Sequence, residues 1–248
     1  MTLQGAASAG IDLYYWPTPN GWKIAILLEE LGVAYNLVRV DIHKGDQFDP
    51  AFLAISPNNK IPAIVDRTPA DGGDPYALFE SGPILQYLAE KHDRFWPQER
   101  RRRYEVGQWL AWQIASLGPI AGQVHHFREY AIEKVPYAIE RFTNEINRLY
   151  GVMNMRLADR EFLAGDYSIA DIACWVWVRL WRHHGQDLDA FPHLARWLEV
   201  IAARPAVNTG FRVGSEWRRG KGNLTDESRR ILLGQTAQAA RHPTGLAR

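Results

Sequence analysis

A short polar turn near the N-terminus carries side chains that could bind a single anionic atom. Thr18 and Asn20 follow an apolar segment and come directly before a segment with helical periodicity. A hydroxyl, an amide and the free N–H groups of a helix N-terminus can all point at one atom there, and the helix dipole favours an anion. Two interpretations stay open: stabilisation of a bound anion, or ordinary strand-to-helix turn chemistry in which Asn20 only caps the helix.

A second polar pair could bind the two charged groups of an amino acid. Glu80 and Ser81 stand where a short apolar segment gives way to another helical one. Glu80 can pair with an ammonium group, and Ser81, together with the N–H groups of the helix start, can bind a carboxylate. A helix cap with a charged neighbour explains the same two residues equally well.

Pro62 marks a place where an extended peptide could pair with the chain. The preceding residue, Ile61, would present free backbone groups to such a peptide, which would then bind in the manner of an added strand. The alternative is a proline at a strand edge that has no role in ligand binding.

The remaining reactive side chains are better explained as structural. The single cysteine, Cys174, lies in an apolar helical segment, where a thiol behaves as a small buried hydrophobic group. We therefore expect no cysteine nucleophile, no intramolecular disulfide and no multi-cysteine metal cluster. The histidine pairs His125-His126 and His183-His184 are sequence neighbours, which point apart on a helix, so no metal site is predicted.

The first third of the chain has the pattern of a small mixed α/β domain. Segments rich in β-branched and aromatic residues predict strands, and apolar residues at helical spacing predict helices. Strands are expected over residues 11–16, 35–40, 60–66 and 76–79, and helices over residues 23–31 and 81–91, with one or two helical turns over residues 50–55.

The order of these elements sets their pairing. The first two strands should be parallel around the first helix, which Asn20 caps and Gly32 ends. The turn signal at residues 71–74 should join the last two strands into a hairpin, and Ser81 should cap the helix that follows. Tyr14 and Tyr15 belong to the first strand and are expected in the core or on a face of the sheet.

The rest of the chain is predicted to be helical. Pro97 and four consecutive arginines, Arg100–Arg103, place a domain boundary within residues 92–103. A solvated linker and helix start explain the arginines better than a nucleic-acid site, because no second basic cluster or stacking motif accompanies them. Helices are expected over residues 104–123, with a kink or end at Gly118-Pro119, and over residues 136–159, 169–181 and 191–203, the segment 169–181 being buried on all sides. The predicted domains are a flexible N-terminus at 1–10, an α/β domain at 11–92, an all-helical domain at 99–210 and a polar tail at 211–248.

Composition limits the partners and the compartment. The 248 residues include 46% hydrophobic residues, enough for a sizeable core, and 29 basic against 28 acidic residues. This balance gives no general attraction to nucleic acid or to an anionic membrane. The N-terminus lacks the pattern of a signal peptide, and no apolar run is long enough to span a bilayer, so a soluble cytoplasmic protein is expected.

The element order and three motifs resemble the glutathione transferase fold. Asn59-Lys60-Ile61-Pro62-Ala63-Ile64 is similar to the family's strand with a cis proline, Phe79-Glu80-Ser81-Gly82 to its γ-glutamyl-binding turn, and Ser168-Ile169-Ala170-Asp171 to the capping motif of its buried helix. The resemblance covers roughly residues 11–205. It implies an α/β plus all-α architecture: an N-terminal thioredoxin-like domain of order β-α-β-α-β-β-α, followed by a C-terminal helical bundle.

Finer motifs resemble the bacterial Nu class of that family, whose members are glutathione-dependent disulfide-bond oxidoreductases. They are Pro17-Thr18-Pro19-Asn20-Gly21, Ser56-Pro57-Asn58-Asn59-Lys60, Ala70-Asp71-Gly72-Gly73, Gln123-Val124-His125-His126-Phe127 and Pro136-Tyr137-Ala138-Ile139-Glu140-Arg141. The resemblance implies that Thr18 and Asn20 are catalytic. It also implies a set of residues that contact glutathione, namely Gln47, Lys60, Ile61, Pro62, Glu80, Ser81 and Arg141. The tail beyond about Val213 is left unexplained.

Three functions stay open at this point. In a disulfide reductase, glutathione thiols would supply both electrons to a small disulfide, since no protein cysteine is expected to react. Conjugation of glutathione to an apolar electrophile, with related peroxide reduction, would use the same thiolate. A non-enzymatic binding module is the third, although the intact pairs Thr18/Asn20 and Glu80/Ser81 argue against it. The family resemblance further implies a homodimer.

Gln47, Lys60 and Arg141 also have structural explanations that the sequence does not exclude. Gln47 could be a polar loop residue, Lys60 a solvated lysine and Arg141 a member of a surface salt bridge.

Overall fold

The computed structural model describes residues 9–218 and 224–237. Most of the predicted flexible N-terminus, residues 1–8, lies outside the described residues, as do residues 219–223 and 238–248 of the predicted tail. The chain divides into two compact units. The first unit runs up to Ile84 and resumes at Phe211, and the second unit comprises Leu85–Gly210.

A four-stranded mixed sheet forms the centre of the first unit. Its strands are β1 (Ile11–Tyr15), β2 (Tyr35–Arg39), β3 (Ala63–Asp66) and β4 (Tyr76–Phe79). They lie in the spatial order β2-β1-β3-β4, with β1 parallel to β2 and β3 antiparallel to both β1 and β4. The predicted parallel β-α-β unit, the hairpin and the thioredoxin-like fold are thereby confirmed.

Helix α1 (Pro19–Leu31) begins one turn earlier than the sequence pattern predicts. Its N-cap is Thr18 and not Asn20, which lies in the first turn. Pro19 causes the difference, because a proline at the first helical position lacks only an N–H group that would have no intrahelical partner. At the other end Gly32 adopts φ 70°, which confirms the predicted left-handed C-cap.

Two further helices begin in the first unit, α2 (Pro50–Leu53) and α3 (Ser81–Lys91). The bounds of α3 match the prediction. Ser81 is nevertheless the first residue of the helix rather than its cap, since the carbonyl of Glu80 already accepts a hydrogen bond from the N–H of Ile84 at 3.1 Å.

The second unit is helical. After the remainder of α3 it contains α4 (Arg100–Trp112), α5 (Gly118–His125), α6 (Pro136–Arg156), α7 (Ile169–Val178), α8 (Pro192–Ala202) and most of α9 (Pro205–Arg212). Two π-helical turns, Gln113–Leu117 and His126–Tyr130, continue α4 and α5. The helix therefore does not end at Gly118-Pro119, because the wider turn before Pro119 accommodates the missing N–H group.

Helix α7 is the core of the second unit, and each of its residues is buried. Ser168 caps it, and Asp171 completes a capping box, as the motif predicts. Cys174 lies in this helix with none of its surface exposed. No helix in the described ranges combines the length and the apolar character that crossing a membrane requires.

The chain after the second unit returns to the first. Phe211 packs on Trp22 with ring centroids 4.7 Å apart, and Tyr15 donates a hydrogen bond to the carbonyl of Val213 at 3.0 Å. A last helix, α10 (Asp226–Leu233), also belongs to this unit. The sequence pattern predicts neither α9 nor α10.

Candidate active site

The turn between β1 and α1 is held by its own backbone. The N–H of Thr18 donates to the carbonyl of Trp16 at 2.8 Å, and the N–H of Trp22 donates to the carbonyl of Thr18 at 2.9 Å. Gly21 lies so close to the carbonyl of Trp16 that a Cβ atom there would overlap with it. The glycine of the Pro-Thr-Pro-Asn-Gly motif is therefore required by close backbone packing.

The hydroxyl of Thr18 is only weakly engaged within the protein. It accepts a hydrogen bond from the N–H of Gly21 at 3.5 Å, which is at the limit of such an interaction. Because a hydroxyl both donates and accepts, its hydrogen stays available to an atom outside the helix. Thr18 and Asn20 are half-buried, and the first turn of α1 contains no acidic residue. The arrangement can bind one anion at the positive end of the helix.

Ser81, of the second predicted pair, bonds to a residue that the sequence pattern does not single out. Lys23, on α1, donates from Nζ to Oγ of Ser81 at 3.1 Å, and both residues are buried. A buried ammonium group beside the start of α3 adds a positive charge where the sequence predicts a carboxylate to bind. The available signal was the position of Lys23 on the same helical face as the apolar Leu27.

Glu80 has an unusual backbone and a polar neighbour. Its φ is 69°, in the left-handed region that a residue with a side chain seldom occupies. Its Oε1 accepts a hydrogen bond from the side chain of Asn58 at 3.1 Å. Left-handed residues of this kind cluster at functional sites, so the conformation supports a ligand role for Glu80.

Pro62 follows a cis peptide bond, as the family resemblance implies. The paired register of β3 begins one residue later, with Ala63 opposite Tyr14 and Phe79. Ile61 therefore lies beyond the end of the β3 ladder, where an extended peptide could pair with its backbone as an added strand.

Gln47 and Lys60 differ in their surroundings. Gln47 is only 2% exposed and donates from Nε2 to the carbonyl of Ile42 at 3.1 Å. Its Oε1 is buried and accepts no hydrogen bond from any residue that the structure describes. Gln47 is therefore not a solvated loop residue. Lys60 is exposed, and partial desolvation lowers the pKa of its ammonium group; its Nζ donates to Oε1 of Gln235 at 3.1 Å.

Arg141 belongs to α6 in the second unit. Its side chain is 57% exposed and lies 4.0 Å from the carboxylate of Glu145. A pair at this distance on the surface contributes little, and Arg141 is bound only loosely by it. A role for this residue in glutathione binding stays a prediction.

The two histidine pairs come closer together than their spacing suggests. The ring of His125 lies 5.3 Å from that of His183 and 6.2 Å from that of His184. His184 is buried, with Nδ1 3.0 Å from the hydroxyl of Tyr150, and burial lowers its pKa to about 3. Among the residues that the structure describes, no three potential ligand side chains are grouped closely enough to hold a metal ion.

The chain is similar to known proteins over both units. It matches the family "Glutathione S-transferase, N-terminal domain" over residues 9–90 and "Glutathione S-transferase, C-terminal domain" over residues 136–199. It is 56% identical over 198 residues to the disulfide-bond oxidoreductase YfcG of Escherichia coli (strain K12), covering 79% of this chain and 92% of that protein.

Solved structures resemble it as well. A glutathione transferase from Pseudomonas putida, with one glutathione disulfide bound per subunit, is 43% identical, with a TM-score of 0.79 over 82% of this chain and 91% of that one. A glutathione transferase family member from Pseudomonas fluorescens pf-5, with two glutathione bound, is 44% identical, with a TM-score of 0.77 over 82% of this chain and 92% of that one.

Proposed function

The chain belongs to the glutathione transferase family, and on that premise we propose that it is a glutathione-dependent disulfide-bond oxidoreductase. The disulfide-bond oxidoreductase of E. coli and the glutathione disulfide bound in the P. putida structure support this reaction. The observation that carries the proposal is the start of α1, where the Thr18 hydroxyl is weakly engaged, while the chain's single cysteine is buried in α7. The electrons therefore come from glutathione.

The reaction needs two glutathione molecules for each disulfide. The thiolate of the first attacks one sulfur of the substrate, forming a mixed disulfide and releasing one substrate thiolate, which takes up a proton. The second thiolate attacks the glutathione sulfur of the mixed disulfide, which yields glutathione disulfide and the second substrate thiol. Two glutathiones are oxidised and one disulfide is reduced.

Thr18 and Asn20 act on the sulfur atom in both steps. A free thiol of this kind titrates near pH 8.5, so most of it is protonated at neutral pH. The Thr18 hydroxyl, the Asn20 amide and the N-terminus of α1 favour the thiolate as attacking or leaving group. Backbone hydrogen bonds already hold this turn in the absence of a ligand, so we expect little reorganisation during the reaction.

The tripeptide is held at several places along its length. Glu80 pairs with the ammonium group of the γ-glutamyl residue, and Ser81 with the start of α3 binds its carboxylate. The backbone at Ile61, next to Pro62, pairs with the extended peptide. Two predicted contacts complete the site in the first unit: Gln47 with the glutamyl portion and Lys60 with the glycyl carboxylate. Arg141 is a further predicted contact with glutathione.

The experiment is turnover of a small symmetric organic disulfide with glutathione, coupled to glutathione reductase, alongside an aryl-halide conjugation assay. We expect rapid disulfide turnover, weak conjugation and unchanged turnover in a Cys174→Ala variant that melts cooperatively. Conjugation without disulfide turnover would establish a transferase in place of a reductase.

The binding-module alternative has its own readout. Glutathione at a hundred times its dissociation constant should raise the unfolding free energy by about 2.7 kcal/mol. If neither activity appears and glutathione leaves the melting temperature unchanged, the enzyme proposal is wrong.

We also propose a homodimer that works in the cytoplasm without a metal ion. At the edge of the sheet β4 exposes Tyr76 by 50% and Phe79 by 38%, and large apolar side chains on an edge strand are typical of an interface. A single buried cysteine suits a reducing compartment. Light scattering should give about twice the chain mass of 28.3 kDa, and a chelator should leave turnover unchanged.

A further inference from the structure

The end of the described chain lies against two loops of the proposed glutathione site. We call residues 224–237 the C-terminal segment; it contains α10. Ile231 of α10 packs on Phe48, and each is 5% exposed. Ser228 donates from Oγ to the carbonyl of His43 at 3.3 Å. The segment is thus anchored on both sides of Gln47.

Gln235, just after α10, reaches the loop that carries Lys60. Its Oε1 accepts from Nζ of Lys60 at 3.1 Å and from Nδ2 of Asn59 at 3.3 Å. Its Nε2 donates to the carbonyl of Ile231 at 2.9 Å. Because the amide nitrogen is bound to its own helix and both partners of the oxygen are donors, the orientation of the carboxamide is fixed.

The loop held by Gln235 connects Lys60, proposed to bind the glycyl carboxylate, with Glu80, proposed to bind the ammonium group. The neighbouring residue Asn58 bonds to Glu80, at the ammonium end. Oγ of Ser56 donates to the carbonyl of Lys60 at 2.9 Å and closes the loop from within. Asn59 is buried with φ 48°, so its side-chain donor needs an acceptor from the protein, and Gln235 supplies it.

We propose that Gln235 is a positioning residue that makes the glutathione site selective for a free glycyl carboxylate, an inference that rests on the proposed function. An ammonium group has three N–H donors, and Gln235 takes one, which leaves two for the carboxylate. The carboxamide is neutral, so the positive charge of Lys60 is kept. Fixing a long side chain before the ligand arrives reduces the entropy lost on binding.

The test compares glutathione with its glycyl monoethyl ester in the coupled disulfide assay. The ester keeps the thiol and the γ-glutamyl end but lacks the glycyl charge. The variants of the full chain are Gln235→Glu, Gln235→Ala and, as a matched control, Thr236→Glu, which adds the same charge at the adjacent exposed position.

A carboxylate at residue 235 would pair with Lys60 and repel the glycyl carboxylate. In Gln235→Glu we expect the KM for glutathione to rise at least about tenfold, because a charge-assisted hydrogen bond is lost. The KM for the ester should rise by less than about twofold. In Gln235→Ala the KM for glutathione should rise about threefold to fivefold with kcat unchanged. Thr236→Glu should leave both KM values within about twofold, because an exposed charge without a contact is screened.

The outcomes separate this inference from the function on which it rests. Equal effects of Gln235→Glu on glutathione and on the ester, or a lower KM in Gln235→Ala, would overturn the inference while normal wild-type turnover upheld the function. A wild-type protein that neither turns over nor binds glutathione would overturn both.

Discussion

Two helix N-termini in this protein differ in whether the chain itself supplies a negative charge to them. At α7, in the second unit, Asp171 fills the anion position from within: it accepts hydrogen bonds from the N–H and hydroxyl of Ser168, the N–H of Leu163 and the indole N–H of Trp197. At α1, in the first unit, no acidic residue occupies the first turn, and the hydroxyl of Thr18 makes one long hydrogen bond. The buried α7 terminus is satisfied by its own carboxylate, while the half-buried α1 terminus has no carboxylate in its first turn and can accept an external anion.

The two helix starts are otherwise similar, so the contrast predicts a structural role for one and a binding role for the other. A helix start that is saturated by its own carboxylate stabilises the fold. A helix start that lacks one leaves its N–H groups free to bind an external anion. Changes at the two positions should therefore affect different measurements.

The largest effect is expected from Thr18→Ala. Removing the donor to the thiolate should lower kcat/KM for disulfide turnover about 100-fold or more. Stability should fall by no more than about 1 kcal/mol, since the cap bond is long. Steady-state kinetics and a thermal melt measure the two.

The matched control is Thr18→Ser, which keeps the hydroxyl and should keep most of the turnover. A variant Thr18→Ala that lost stability but retained its kcat/KM would show that Thr18 is only a cap, and the comparison of the two helix starts would fail.

Asp171→Asn should reverse the pattern. The amide would turn an NH2 group toward donors that now face a carboxylate, which should cost about 3 kcal/mol of unfolding free energy. For a chain of this size the melting temperature should drop by about 6–12 °C. The KM for glutathione, measured well below the melting temperature, should not change; a raised KM would mean that α7 contributes to binding.

A pH effect should also arise in the second unit. Burial lowers the pKa of His184 to about 3, well below its unfolded value, so the unfolded chain binds a proton that the folded chain does not. The stability from this group is complete above about pH 6.5 and is lost as the pH falls, by up to about 1.4 kcal/mol per pH unit.

The measurement is the melting temperature between pH 7 and pH 5 for the wild type and for His184→Gln, which cannot titrate there. We expect a steeper fall in the wild type. Parallel curves would show that His184 gains its proton in the folded state as easily as in the unfolded chain.

The smallest effect is expected from Tyr15→Phe. Tyr15 lies close to the Thr18 turn, near Gly21. Burial raises the pKa of its phenol, and its hydroxyl donates a hydrogen bond to the carbonyl of Val213. Losing that bond should cost about 1 kcal/mol and leave disulfide turnover unchanged. A large loss of turnover would make Tyr15, rather than Thr18, the group that acts on sulfur; Tyr14→Phe is the control.

Local patterns account for what the sequence predicts well. The bounds of β4 and α3 follow from an apolar run between turn residues, and the buried helix α7 follows from its capping motif and its apolar composition. The start of α1 is placed too late because Pro19 and Gly21 also fit a loop, and only the closed backbone turn shows that the helix has begun.

Contacts between distant segments account for what the sequence does not predict. The buried Lys23 donates a hydrogen bond to Ser81, 58 residues away, and the pairing of Lys60 with Gln235 spans 175 residues. Because α10 is mostly polar, its sequence pattern does not single out Ser228 and Ile231, the two residues by which it docks. Periodicity within one segment carries no information about such partners.

The return of the chain to the first unit has a consequence for biosynthesis. Because a ribosome releases about 5–20 residues per second, the 175 residues between Lys60 and Gln235 separate their synthesis by about 9–35 s. The second unit, Leu85–Gly210, is one continuous stretch and emerges entirely within that interval. The Lys60 loop is therefore the last part of the proposed glutathione site to receive its partner. On the role proposed for Gln235, the nascent chain gains selectivity for the glycyl carboxylate only when the C-terminal segment has been made.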